Sequence, residues 1–266
     1  MIAPGCATVR GSLSFAGDRA NGGIWSNGLP HLATQTLSAH EVELSDAGRL
    51  AVKPALDREG FVHLTDQVSG PVWADRVWDR DVYLPRCVEL VKNVTGAAHV
   101  IAQGSSMIRD TGDAKAMPAA AFVHLDKNRE AAEKMIEDFD ELDTRRRFPR
   151  VRIYNLWRAI TPPPQDVPLA ICDRRSLETS DLVEGLTIEE SHPHGVPYLT
   201  SVYNAAQRWY YYPELGPGEA LLFQQYDSNP TEPMGCLHGA FRHPVSREGM
   251  VPRASIESRF IAFFVG

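Results

Sequence analysis

The chain predicts a mainly β protein, a sandwich or jelly-roll barrel with flanking α-helices. Three observations carry that expectation. After Pro149 nearly every apolar run is short and bounded by Gly or Pro, the punctuation of packed β-strands. Before it, residues 36–66 alternate apolar with polar positions, the period of a half-buried strand. Helical spacing is confined to two stretches in the first half of the chain.

Residues 1–35, rich in Gly, Ser and Asn, read as strand fragments and turns. Val42 and Leu44 mark one alternating segment; Phe61, Val62 and Leu64 mark another after the turn Arg58-Glu59-Gly60. From Trp73 to Val94 the residues Val77, Leu84, Val88, Val91 and Val94 recur at mostly helical spacing, predicting a helix interrupted near Pro85. His99–Ile108 and Ala119–Leu125 follow as strands. Asn128–Phe139 predicts an outer helix with Ala131, Ala132, Met135 and Ile136 as its buried stripe. The remaining strands are expected at 151–160, 167–172, 196–204, 208–212, 220–226 and 255–265. With neither an internal repeat nor a long linker, residues 1–266 are expected to form one domain, with a metal-binding core over 119–266.

A net charge of −7 argues against a nucleic-acid partner, which would require a basic stripe, and against an anionic membrane surface. Arg145-Arg146-Arg147 sits beside the acidic run 137–143, as the mixed charge of a solvated helix end. Cys6, Cys87, Cys172 and Cys236 are scattered without Cys-x-x-Cys spacing, so no zinc ribbon or redox pair is indicated. The N-terminus lacks the features of a signal peptide and no stretch suits a membrane span. The expected setting is a reducing cytoplasm with free thiols.

The chemistry concentrates in Ala-Phe-Val-His-Leu-Asp-Lys (121–127). On a strand, side chains two apart share a face, so His124 and Asp126 are placed to chelate one ion. A distant His238 can complete two imidazoles and one carboxylate, the facial triad of non-haem Fe(II) oxygenases, which leaves three positions open for a bidentate 2-oxo acid and O₂. Arg253-Ala254-Ser255 opens the last strand with guanidinium and hydroxyl on one face, a pair suited to one carboxylate. Tyr154-Asn155-Leu156-Trp157-Arg158 mixes polar and aromatic groups where a pure core strand would not.

In this order the chain resembles the gibberellin-desaturase-like and aspergillic-acid-hydroxylase-like 2-oxoglutarate oxygenases of secondary metabolism, and is similar to a component of the cephamycin methoxylation system. The likeness rests on Val-His-Leu-Asp (123–126), Asn-Leu-Trp-Arg-Ala-Ile (155–160) and Pro-Leu-Ala-Ile-Cys-Asp-Arg-Arg-Ser (168–176). It continues through 203–215, 219–228 and Pro-Arg-Ala-Ser-Ile-Glu-Ser-Arg (252–259), while residues 1–95 match loosely. The resemblance implies a double-stranded β-helix of the cupin-like kind, with iron on His124, Asp126 and His238. It also implies 2-oxoglutarate on Arg253, helped by Ser255. Where the family has a Thr-Pro-His-Thr-Ala-Phe-like stretch, this chain has Cys236-Leu237-His238-Gly239-Ala240-Phe241, which keeps the ligand and changes its neighbours.

Other residues compete for these roles. His243 rivals His238, and His192 and His194 have chelating spacing in a Pro/Gly-rich loop. Arg259 is the alternative carboxylate anchor, with Glu257 between it and Arg253 as a pairing partner. Asn155 and Arg158 are candidates for contacting cosubstrate or substrate. Trp157 and Tyr210 are candidates for an aromatic-lined substrate mouth, and Asp173, Arg174, Arg175 and Asp227 for ordering loops and turns. The expected reaction is oxidative decarboxylation of 2-oxoglutarate at Fe(II) with O₂, giving succinate, CO₂ and hydroxylation, desaturation or cyclisation of a small molecule. Asp126 argues against a halogenase, which leaves that position to chloride. Two alternatives are a cupin-like metal-dependent hydrolase or isomerase, which leaves Arg253-Ala254-Ser255 unexplained, and a non-catalytic binding protein of the same fold.

Overall fold

The computed structural model describes residues 7–26, 29–113, 116–140, 144–189, 192–244 and 250–265. The first part of the chain supplies β1 (Thr8–Ala16), β2 (Ile24–Ser26), β3 (Leu37–Asp46) and β4 (Phe61–Thr65), then the helical segments α1 (Arg76–Trp78) and α2 (Leu84–Thr95). Next come β5 (His99–Ala102), β6 (Met107–Asp110), β7 (His124–Leu125) and α3 (Arg129–Phe139). The rest is strand: β8 (Arg150–Ala159), β9 (Leu169–Cys172), β10 (Leu182–Glu189), β11 (His192–Ser201), β12 (Trp209–Tyr211), β13 (Glu219–Asp227), β14 (His238–Ala240) and β15 (Ala254–Phe264).

The strands form two sheets. The nine-stranded one runs β1-β3-β12-β9-β14-β7-β11-β10-β2; the smaller runs β4-β13-β8-β15-β5, with β6 also paired to β15. The mainly β, jelly-roll expectation is met. Strands β1, β3 and β4, from the weakly matching first part, are hydrogen-bonded into these sheets.

Alternation along β8 and β15 sets the two faces of the smaller sheet. Tyr154, Leu156, Ile256, Phe260 and Ala262 pack with Tyr83, Leu84, Cys87 and Val91 beneath the helical layer. Asn155, Trp157, Ser255, Glu257 and Arg259 have the opposite parity and face the nine-stranded sheet. At the far end Val151, Ile153, Ile261 and Phe263 receive Ala132, Met135 and Ile136 of α3. Asn128 caps α3, its side-chain oxygen accepting from the Ala131 N–H at 2.8 Å.

Three expectations are refined. The helix interruption near Pro85 is a π turn, Asp79–Tyr83, in which the Leu84 N–H reaches back to the Asp79 carbonyl. Proline has no N–H to give and its ring crowds the carbonyl four residues back, so the coil widens just before it. The strand expected over His99–Ile108 is two, because the chain bends at Gly104 (φ 60°) while both pieces pair with β15. The strand expected over Ala119–Leu125 shrinks to β7. After Pro118 the backbone bonds singly, Val123 N–H to Ser14 and Ala120 carbonyl from Ala240, rather than in a ladder. Cys87, Cys172 and Cys236 are buried free thiols; Cys6 lies outside the described residues.

Candidate metal centre between the sheets

β7 and β14 are neighbours in the nine-stranded sheet, and His124 and His238 are direct cross-strand partners. Their rings lie 4.3 Å apart, centroid to centroid. Asp126 stands one residue beyond β7, so strand parity does not aim its carboxylate. It is held instead by the smaller sheet. Oδ2 accepts from Asn155 Nδ2 and from Arg259 Nε, each at 2.8 Å. That leaves Oδ1 turned to the imidazoles, 3.6 Å from His124 Nε2 and 4.0 Å from His238 Nε2. Two donors each about 2.1 Å from one ion can be no more than about 4.2 Å apart, so both gaps suit a shared metal.

The imidazoles are set as ligands. His124 Nδ1 faces the Phe122 carbonyl at 3.0 Å and must carry the proton there, leaving the Nε2 lone pair for the site. Burial, reinforced by His238, pushes the His124 pKa down to about 3; burial takes His238 to about 4 against the pull of Asp126. Both rings are therefore neutral at ordinary pH. Burial alone would raise Asp126, but the Arg259 guanidinium, with the hydrogen bond from Asn155, holds it ionised far below the usual carboxylate range. The result is two neutral nitrogens and one anionic oxygen facing a common point, a donor set for a divalent metal with open positions.

Arg253 lies across a small cavity from this cluster, lined by His124, His238, Trp157, Leu169, Glu257 and Arg253 among others, and Ser255 follows it at the same strand parity. The Arg253 guanidinium lies over the Trp157 ring at 5.4 Å and donates through Nη1 to the Val167 carbonyl at 2.7 Å. Among the described residues its Nε and the Ser255 hydroxyl are buried without a partner. Burial and the nearby Arg109 push Arg253 down to about 10, so the charge persists at neutral pH. A buried guanidinium and hydroxyl, unsatisfied side by side, fit the carboxylate of a dicarboxylic cosubstrate.

The other candidates sort by the face they occupy. Arg259 pairs with Asp126 and with Glu257 (Nη2 to Oε1, 3.1 Å), so it positions the Asp126 carboxylate. Asn155 does the same through its amide. Trp157 lies under the Arg253 guanidinium and lines the same cavity as His124 and His238. Arg158 is a correction: its parity turns it away from the metal to the helical layer, where Nε donates to Tyr83 Oη at 2.9 Å and the guanidinium pairs with Asp66. Tyr210 lies two strands from His238, both opposite Ile171, and packs on Phe61; it lines a groove with Arg10, Glu41 and Arg208 and neither cavity beside the cluster. His243 packs near Tyr211 and Phe241, and His192 and His194 are exposed on β11; none joins the cluster. Asp173 caps the turn Arg174–Ser176 and binds Arg175 and Arg208, as a loop-ordering residue does. Asp227 binds Arg150 and Arg152 and accepts from the Asn229 N–H.

Sequence reasoning missed Gln225. The register between β13 and β8 shifts between Gln224 and Tyr226, a bulge that leaves Gln225 as the extra residue and re-aims its side chain. Its Oε1 accepts the Asp126 N–H at 3.0 Å, and its Nε2 donates to the Cys236 carbonyl at 3.1 Å. One side chain thus ties the backbones leading to two ligands. The local signal was a polar Gln-Gln pair inside an otherwise apolar strand.

Jelly-roll sheets enclosing a His-x-Asp…His cluster, with an unsatisfied buried arginine across the cavity, define the chain as an Fe(II)/2-oxoglutarate-dependent oxygenase. Known proteins agree. The structure superposes on the iron and alpha-ketoglutarate-dependent endoperoxidase NvfI with a TM-score of 0.85 at 26% identity, covering 97% of this chain and 99% of that one. In sequence it is 29% identical over 235 residues to the Fe(II)/2-oxoglutarate-dependent dioxygenase nvfI of Aspergillus novofumigatus, 84% of this chain and 83% of that protein. It is 27% identical over 287 residues to the hydroxylase/desaturase efuI of Hormonema carpetanum, 97% and 95% of the two chains. The chain belongs to the family described as Oxidoreductase/YMDC permease-like domain, whose model matches residues 26–263. The likeness therefore begins well before Val123. No helix of the described residues is long and apolar enough to cross a membrane.

Proposed function

We propose that this chain, as one oxygenase domain, oxidises a small-molecule intermediate of natural-product biosynthesis by hydroxylation, desaturation or cyclisation, with release of succinate and CO₂. The observation that carries the reading is the pairing of the His124–Asp126–His238 cluster with the unsatisfied Arg253 across one cavity, Ser255 following it on the same face. Relatives bearing hydroxylase/desaturase and endoperoxidase names support it. A small-molecule substrate, no nucleic acid or membrane partner and a cytoplasmic setting complete the proposal.

When bound, Fe(II) with 2-oxoglutarate and O₂ supplies an oxidant that takes hydrogen from an unactivated C–H bond, driven by decarboxylation of the cosubstrate. The chain's residues do the rest. His124, Asp126 and His238 hold the metal; Asn155 and Arg259 keep Asp126 to one donating oxygen. Arg253, braced by Trp157 and the Val167 carbonyl, takes the far carboxylate of 2-oxoglutarate together with Ser255. Phe122, Trp25 and Tyr198 wall the cavity on the open side of His124 and exclude water there.

The test is an anaerobic titration with Fe(II) and 2-oxoglutarate, read from the weak visible charge-transfer band of the chelate. Wild type is expected to show the band, His124→Ala to abolish it, and Arg253→Ala to require far more 2-oxoglutarate. Bound iron without the band overturns the cosubstrate assignment, and absence of iron binding overturns the enzyme reading.

A further inference from the structure

Arg109 stands on β6 directly beside Ser255 of β15, so it joins the inward face of the smaller sheet. It lines both the Arg253 cavity and the second cavity on the open side of His124, about 110 Å³ in volume. That second cavity has two unlike walls. Trp25, Phe122 and Tyr198 form an aromatic wall, with Trp25 and Phe122 rings 5.7 Å apart and Phe122 and Tyr198 rings 5.8 Å apart. The Tyr198 hydroxyl is already engaged by Gln35 and by the Gly22 carbonyl, so its ring is what faces inward. The opposite wall is cationic, carrying Arg109, Lys127 and Arg259.

Those charges are not equivalent. Arg259 is neutralised by Glu257 and by the metal carboxylate. Arg109 donates Nη1 to the Pro118 carbonyl at 2.6 Å, and among the described residues no carboxylate lies within ion-pair distance of it or of Lys127. Glu189, the remaining acid of this lining, attracts Lys127 and also contacts His192 at 3.0 Å, which leaves Arg109 as the unmatched cation of the lining. Loading the site does not remove the imbalance. Asp126 and the two carboxylates of the cosubstrate balance the metal and Arg253. Among the described residues, a chain of net charge −7 thus leaves one cation in excess at the cavity beside its metal, with Arg109 held there without an ion pair, which is costly without an anionic occupant.

We infer that the primary substrate carries a carboxylate or an equivalent anionic end, bound by Arg109 with Lys127 at the rim, while its apolar body lies on the Trp25–Phe122–Tyr198 wall. This rests on the oxygenase reading and assigns its substrate class. Arg109 is then the residue that selects the acid over a neutral analogue.

The test uses two shape-matched probes, phenylpropanoate and phenylpropanamide. Their affinities for the protein loaded with Zn(II) and excess 2-oxoglutarate are measured by saturation-transfer NMR. The acid is expected to bind at least about tenfold more tightly than the amide. Arg109→Gln should erase that preference, and Arg109→Lys should keep part of it. Both variants should show the wild-type charge-transfer band with Fe(II) and 2-oxoglutarate. The inference is overturned if the acid does not bind, if acid and amide bind alike, if the preference survives Arg109→Gln, or if Arg109→Gln loses the band. The last result would place Arg109 in the cosubstrate site. A wild type without the band would overturn the oxygenase reading itself, independently of the probes.

Discussion

Arg158 and Arg253 are both almost fully buried and sit at the same two paired strands, yet they face opposite sides of the smaller sheet. On the helical side Arg158 is saturated: Tyr83 hydroxyl, Asp66 carbonyl and Asp66 carboxylate take its donors. On the metal side Arg253 keeps, among the described residues, one carbonyl contact for its guanidinium, an unpartnered Nε and no carboxylate within ion-pair distance. A buried charge whose partners are all protein holds a fold together. One whose partners are missing is built for something that arrives later.

The contrast can be broken most forcefully at Arg158. Arg158→Met takes one of two guanidinium partners from Asp66, which keeps Arg86, and leaves the Tyr83 hydroxyl without its donor; it should lower stability by about 1.5–3 kcal/mol in urea unfolding. The folded fraction should keep wild-type 2-oxoglutarate affinity; a selective loss of cosubstrate binding would contradict the assignment of faces. Arg253→Met should do the reverse. It deletes one hydrogen bond, about 1 kcal/mol of stability, and weakens 2-oxoglutarate roughly a hundredfold in the anaerobic titration.

Gln225 sharpens the comparison, because it serves the metal side without touching the cosubstrate. Gln225→Leu should weaken divalent metal binding about tenfold or more, read from the visible spectrum of Co(II) in place of iron. At saturating metal, cosubstrate affinity should return; a variant with unchanged Co(II) affinity would show the bulge to be incidental.

The smallest expected effect is in acid. Burial pushes the Asp66 pKa upward, but hydrogen bonds and charge from Arg86 and Arg158 outweigh it and leave it below its ordinary 3.8. A carboxylate depressed in the folded state stabilises fully above its unfolded pKa, and that stability drains as pH falls through the lowered value. Asp66→Asn should therefore be less stable than wild type near about pH 6 and lose less on acidification to about pH 3. Equal acid sensitivity in the two proteins would remove Asp66 from the account.

Much of the site was legible because its chemistry is local. His124 and Asp126 declare themselves by spacing, Arg253 and Ser255 by residue type at the mouth of the last strand. Alternation also separated Tyr154 from Asn155 correctly. The same rule forbids Trp157 and Arg158 from sharing a face, so only one of them was ever eligible for the site. The bulge at Gln225 was not legible, since it shifts parity by one residue and depends on the register between β13 and β8.

By itself the sequence determined the strand-rich architecture, the three metal ligands and the arginine-serine pair, because hydrophobic period and donor chemistry are properties of short segments. Only the tertiary structure decided which of two buried arginines faces the metal side, that Arg259 braces Asp126, that Tyr210 lines neither cavity beside the cluster, and that Arg109 lacks an ion pair among the described residues. Those outcomes depend on which strands pair, in what register, and on which charges are brought within a few ångströms across the chain. Pairing and register are settled by the packing of the whole molecule.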